Sequence, residues 1–197
     1  MSKKNILIIN AHQKYEGFAE GGLTKTYIDK ADQFFKNNEF NVKHTNIEDG
    51  YEVADEHEKL QWADHILFQY PVYWMSLPWL SKKYIDEVFT SSQGLLYTND
   101  GRSRDDASKR YGSGGLMTDK NYMLSLTYNC PESEFDNKDS FFEGLSLDEA
   151  NFSVHKIFQF CGANQLDTYS VHDVYKGDMS LDDELSRFED TLKRNFV

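Results

Sequence analysis

The chain is poor in the features that would narrow its chemistry at once. It has two cysteines, Cys130 and Cys161, three prolines, and 21 Lys plus Arg against 33 Asp plus Glu. Two cysteines without a C-x-x-C spacing give neither a disulfide framework nor a zinc site. A formal net charge of −12 and a pI of about 4.9 lack the clustered cations that nucleic-acid phosphates require, so no nucleic-acid partner is expected. The balance implies solubility instead. Long hydrophobic runs are missing too. The opening run at residues 6–9 is far too short for a signal peptide or a membrane span, and nothing later approaches that length, so a cytoplasmic protein with no membrane span is expected. His12, His44, His57, His65, His155 and His172 show no metal-ligand spacing, and no metal is expected. There is no G-x-x-x-x-G-K-[ST] loop and no G-x-G-x-x-G after a strand. The run Gly112-Ser113-Gly114-Gly115 is not a nucleophile elbow.

What is present is a full core and many rings. The 197 residues fit one domain, 39% are hydrophobic and 15% aromatic, enough for aromatics to line a pocket or interface as well as the core. Residues 6–9 are a continuous apolar run, and 66–70 and 122–126 are mostly apolar, the pattern of strands covered on both faces. Residues 40–45 alternate as a modest second strand, and 166–171 read as a fifth. Helices are predicted over 23–35, 53–62, from Pro78 to about 89, over much of 136–161, and over 181–196. The stretch 94–120 is long and irregular, as functional loops are. Strands alternating with helices predict an α/β fold, a flavodoxin-like doubly wound sheet of five parallel strands.

Three segments follow three of these strands. In such a sheet, ligands bind beyond the carboxyl ends of the strands, near the point where strand order reverses. The first is Ala19, Glu20, Gly21, Gly22, Leu23, Thr24, Lys25 and Thr26, at the start of a helix, where free N–H groups attract phosphate. Thr24 and Thr26 read equally as first-turn residues. His12 and Lys14 lie nearby, either close to a phosphate or simply solvated. The second is Pro71, Val72, Tyr73 and Trp74, stiffened between Pro71 and Pro78. It suits the edge and face of an isoalloxazine ring, or else a neighbouring helix or subunit. The third is Thr127, Tyr128, Asn129 and Cys130, whose backbone donors suit the polar edge of a flavin. Cys130 has no base partner by spacing and reads as a small buried thiol. Together the three suggest a flavoprotein and a reductase.

The residues also carry a resemblance. The run Gln69-Tyr70-Pro71-Val72-Tyr73-Trp74-Met75-Ser76-Leu77-Pro78-Trp79, then Lys82–Phe89 by position, Leu96-Tyr97-Thr98-Asn99-Asp100-Gly101-Arg102, Lys109-Arg110-Tyr111-Gly112-Ser113-Gly114-Gly115-Leu116 and Tyr122-Met123-Leu124-Ser125-Leu126-Thr127-Tyr128-Asn129 resemble the NAD(P)H:quinone oxidoreductases of the modulator of drug activity B type. More distantly the chain is similar to the DT-diaphorase group. The likeness covers nearly the whole chain and is most specific from residue 62 to 129. It implies FAD, a nicotinamide donor (NADPH by preference), a quinone acceptor, hydride transfer through the flavin N5 in a ping-pong cycle, and a homodimer with flavin sites near the subunit interface. By position it adds Tyr111 to the flavin contacts above and implies no catalytic side chain. Ala19 stands where Ser is usual, Tyr73 and Tyr128 where Trp is expected, and no Tyr–His pair follows Asn129. The alternatives are an FMN-dependent reductase of azo or nitro compounds and a flavin-binding electron carrier without turnover of its own.

Overall fold

Both faces of the central strands are covered, which is why they read as mainly apolar runs. The computed structural model describes residues 4–176 and 179–197. Its elements are β1 (Asn5–Asn10), α1 (Gly22–Asn37), β2 (Asn41–Asn46), α2 (Val53–Trp62), β3 (His65–Pro71), α3 (Trp79–Thr90), β4 (Asn121–Thr127), α4 (Leu147–Ala150), α5 (Phe152–Phe160), β5 (Asn164–Gln165), β6 (Tyr169–Val171) and α6 (Leu181–Phe196). All ladders are parallel, in the order β2-β1-β3-β4, with β5 and β6 both on the far side of β4. The sheet therefore has the five expected strand positions, flanked by helices.

Alternate residues of each strand feed opposite layers. Leu7, Ile9, Ile66, Phe68, Leu124 and Leu126 pack with Leu60, Tyr84, Val88, Val154 and Phe158 of α2, α3 and α5. Ile6, Ile8, Leu67 and Met123 pack with Tyr27, Phe35, Phe188 and Leu192 of α1 and α6. Strand order reverses between β1 and β3, and this is where a ligand site is expected.

Three expectations need correction. The fifth strand is two short pieces: β5 pairs with Asn121 and Tyr122, β6 with Ser125 to Thr127, and the ladder is open between them. Residues 136–146 are turns rather than helix. Asp136, Glu143 and Gly144 hold positive φ (55°, 54° and 90°), which no right-handed helix admits. The helix starts only at Ser146, whose hydroxyl and Glu149 form a capping box. Pro78 precedes α3 as its N-cap instead of lying inside it. The stretch 94–120 is irregular as expected. It is pinned where Gly115 crosses Cys161 so closely that a Cβ there would stand 2.2 Å from the Cys161 carbonyl carbon.

Candidate active site

The carboxyl ends of β1, β3 and β4 open into one cavity of about 560 Å³. Residues of all three predicted segments line it: Ala19 to Thr24 from the first, Pro71 to Trp74 from the second, and Thr127 and Asn129 from the third. Parallel pairing makes this meeting unavoidable, because Pro71 and Thr127 are partners in register and the Val72 N–H donates to the Thr127 carbonyl at 3.0 Å.

One wall is the start of α1. Gly21 is its N-cap in the left-handed region (φ 84°), no side chain caps it, and its first turn carries no acid. The first helical N–H to find a carbonyl is that of Lys25, on Gly21. The N–H groups of Gly22, Leu23 and Thr24 thus face the cavity end of the helix dipole without an intrahelical partner, a ready anion seat. A side chain at Gly21 would stand 3.2 Å from the His12 ring, so glycine is required for conformation and space alike. Thr24 is buried and lines the cavity. Lys25 and Thr26 do not line it. The Lys25 ammonium pairs with Asp29 at 2.5 Å, and the Thr26 hydroxyl donates back to the Gly22 carbonyl at 3.1 Å.

The second wall is a tight turn. Tyr73 and Ser76 exchange backbone hydrogen bonds across Trp74 and Met75, which hold positive φ of 49° and 67°. Two consecutive non-glycine residues in that region are strained, and such strain clusters at ligand sites. The turn splits the two predicted ring contacts. Trp74 stands on the rim, 96% exposed. Tyr73 turns inward: its hydroxyl donates to the Gln13 carbonyl at 3.1 Å and lies 3.3 Å from His12 Nε2. Burial pushes the Tyr73 phenol up to about 12.

In the third segment Tyr128 lies behind the cavity. Its N–H donates to the Val171 carbonyl, its hydroxyl accepts from Asn151 Nδ2 at 2.8 Å, and its ring stacks on His172 at 5.5 Å. The fold thus supplies a Tyr–His contact where none follows Asn129 in sequence. Among the described residues, the Asn129 and Cys130 N–H groups donate to nothing and remain available to a ligand. Cys130 is half-buried rather than buried, and burial together with Glu134 and Asp173 raises its thiol, which disfavours a thiolate.

Tyr111 is not in this cavity. It lines a second one, of about 830 Å³, with Phe89, Tyr97, Phe152 and Phe160 between α3 and α5. The cavity also has walls that the strand-end segments omit: His12, Tyr15, Phe18, Val174 and Tyr175. The Tyr175 hydroxyl donates to the Phe18 carbonyl at 2.9 Å, and its N–H donates to Asn129 Oδ1 at 3.2 Å. Val174 and Tyr175 follow β6, so the strand-end rule applied to the fifth strand position points to them. No metal-holding cluster of His, Cys, Asp or Glu exists among the described residues, and none of their helices is long and apolar enough to cross a membrane.

The uncapped helix start, the unbonded N–H groups and the strained turn fit a phosphate-bearing planar cofactor. Comparison with known proteins agrees with the architecture. Residues 4–194 match the profile of the family described as having a flavodoxin-like fold. The NADPH:quinone oxidoreductase MdaB of Haemophilus influenzae is 41% identical over 172 residues, 87% of this chain and 89% of that protein. A candidate quinone reductase of Klebsiella pneumoniae superposes with a TM-score of 0.76 at 18% identity, over 97% of this chain and 84% of that one. General stress protein 14 of Treponema denticola, solved with FMN, superposes with a TM-score of 0.61 at 16% identity, over 97% and 94% of the two chains. On the family profile and the Haemophilus relative together, the chain belongs to the flavodoxin-like family that includes that NADPH:quinone oxidoreductase.

Proposed function

We propose that the protein is a flavin-dependent NAD(P)H:quinone oxidoreductase, working as a single flavodoxin-like unit in each subunit of a cytoplasmic homodimer. One observation carries the reading. The strand-end segments of β1, β3 and β4 converge on one cavity whose wall is an uncapped helix N-terminus. The 41% identity to the Haemophilus enzyme sets the reaction class.

The roles follow from position. Ala19 and Glu20 lead the chain into the seat, and Gly21, Gly22, Leu23 and Thr24 hold the cofactor phosphates on backbone N–H groups. Pro71, Val72, Tyr73 and Trp74 bound the ring. Thr127 and Asn129, with the free N–H of Cys130, face its polar edge, where donors offset the charge that reduction brings. Tyr128 braces that edge from behind. Lys25 and Thr26 take no part. Tyr111, 70% exposed and outside its own chain's cavity, fits as a contribution to the partner subunit's site. FAD is favoured over FMN and NADPH over NADH by the resemblance to quinone oxidoreductases of this type. When bound, the flavin supplies the two-electron chemistry, and the protein contributes position, dipoles and exclusion of water.

The purified protein is expected to be yellow, to release FAD on heating, and to oxidise NADPH when a quinone is added. A colourless protein that takes up no flavin rejects the reading. Release of FMN with turnover of azo or nitro compounds favours the second reading, which the FMN-bound Treponema neighbour supports. Bound flavin without NAD(P)H oxidation identifies an electron carrier.

A further inference from the structure

Among the described residues, His12 is the only one lining the cavity that gains positive charge on protonation, and no Lys or Arg lines it. The imidazole is buried and packs directly under the N-cap of α1, 3.2 Å from where a Cβ on Gly21 would stand. Its Nδ1 is 4.0 Å from the Glu48 carboxylate, and its Nε2 is 3.3 Å from the Tyr73 hydroxyl. Tyr15, Glu20, Tyr73 and Tyr175 are the other titratable groups at the cavity among the described residues. The Lys14 ammonium is committed to Glu20 at 2.7 Å and that of Lys25 to Asp29 at 2.5 Å. Burial lowers His12 below its ordinary value of 6.5, and Glu48 offsets this in part.

A diphosphate seated on the Gly22–Thr24 N–H groups brings negative charge beside this ring. Opposite charge within a few ångströms favours the imidazolium. The helix dipole already favours the anion, and among the described lining residues a protonated His12 ring is what can add a positive charge to it. We propose that cofactor binding is proton-linked through His12: docking of a phosphate-bearing flavin draws one proton from solvent onto its imidazole. The inference rests on the flavoprotein reading above.

Linkage gives the sign. A group whose pKa is higher in the complex than in the free protein strengthens binding as pH falls through the window between the two values. FAD affinity should therefore weaken as pH rises from mildly acid through neutral to mildly alkaline, at most about tenfold per pH unit.

The test is calorimetric titration of the full chain, stripped of flavin, with FAD and with riboflavin. It is run across that pH range in two buffers of different ionisation enthalpy, which count the protons exchanged. FAD should take up as much as one proton and riboflavin, which lacks phosphate, none. In His12→Asn the uptake and the pH dependence of FAD binding should both vanish, whereas His44→Asn, outside the cavity and bonded to Asp32, should retain them. FAD binding without proton uptake, uptake equal for riboflavin, or uptake that survives His12→Asn overturns the inference and leaves the flavoprotein reading standing. Failure to bind any flavin overturns both. If His12→Asn does not fold, the difference between FAD and riboflavin in the unmodified chain decides alone.

Discussion

The Tyr73 hydroxyl reaches 60 positions back along the chain to donate to the Gln13 carbonyl at 3.1 Å, so one side chain fastens the ring-bounding turn to the loop that precedes the phosphate seat. The Tyr73 ring also packs on Tyr15, with centroids 5.6 Å apart. Tyr73→Phe keeps the ring and removes the hydrogen bond. The expected loss is about 1 kcal/mol of stability, together with faster flavin release as the two walls uncouple. Denaturant unfolding of the flavin-free protein and the flavin off-rate measure the two effects separately. A lower stability with an unchanged off-rate would make Tyr73 a packing residue only.

Trp74 and Met75 separate stability from function. Both sit in the left-handed region, where Asn-Gly is the favoured pair for a two-residue turn. Trp74→Asn combined with Met75→Gly should raise the stability of the flavin-free protein by roughly 1–2 kcal/mol, by relieving strain, yet weaken flavin retention. Trp62 offers the contrast. It packs on the α2–α3 core with the Lys43 ammonium 4.5 Å above its ring, so Trp62→Ala should cost stability and leave flavin affinity nearly unchanged. Equal flavin dissociation constants for Trp74→Ala and Trp62→Ala would remove Trp74 from the site.

Acid stability should expose the buried histidines. His65 is held below its ordinary value of 6.5 by burial first and then by Lys4 and Lys120. Its Nδ1 meets the Asn121 amide at 3.2 Å, while its buried Nε2 has no partner among the described residues. His12 and His172 are lowered by burial as well. In each case the folded pKa lies below the unfolded one. The unfolded chain then binds more protons as pH falls through about 6.5, and stability drops on the acid side. Urea unfolding of flavin-free protein should show less stability at pH 5.5 than at pH 7.5, and His65→Leu should flatten part of that difference. An unchanged slope in the variant would assign it elsewhere.

Much of this architecture is legible in local pattern. Residues 6–9, 66–70 and 122–126 announce doubly covered strands, and the rule that ligands sit at strand ends then selects three of the cavity's walls without any tertiary information. The rest depends on long-range contacts. Tyr175 enters the site by reaching Phe18, 157 positions away, and no periodicity marks such a contact. Lys25 and Thr26 continue the phosphate segment in sequence, but the helix turns about 100° at each residue and carries them off the cavity-facing side. The apolar content of 136–161 suggests helix, whereas left-handed Asp136 and Glu143 belong to a turn-built loop fixed by its own side chains. There Ser140 donates to the Glu134 carbonyl and the Phe141 N–H to the Glu134 carboxylate.

The order of events in turnover is the sharpest consequence of the site. The cavity backs onto the sheet ends, with Tyr73, Thr127 and Asn129 on its inner walls, and is exposed at the rim, where Trp74 stands. A ring bounded in this way offers one open face, and donor and acceptor must use it in turn. The nicotinamide should leave before the quinone enters, giving parallel double-reciprocal lines over a grid of NADPH and quinone concentrations. The described residues contain no metal cluster, and the two cysteines, Cys130 half-buried and Cys161 buried, are free rather than paired. Hydride transfer moves electrons in pairs, so little superoxide-dependent cytochrome reduction is expected in a parallel assay. Intersecting lines would mean that both substrates are bound together and would rule out the single shared face. Superoxide formed in proportion to NADPH consumed would mean one-electron release. It would rule out paired delivery even if the lines stayed parallel.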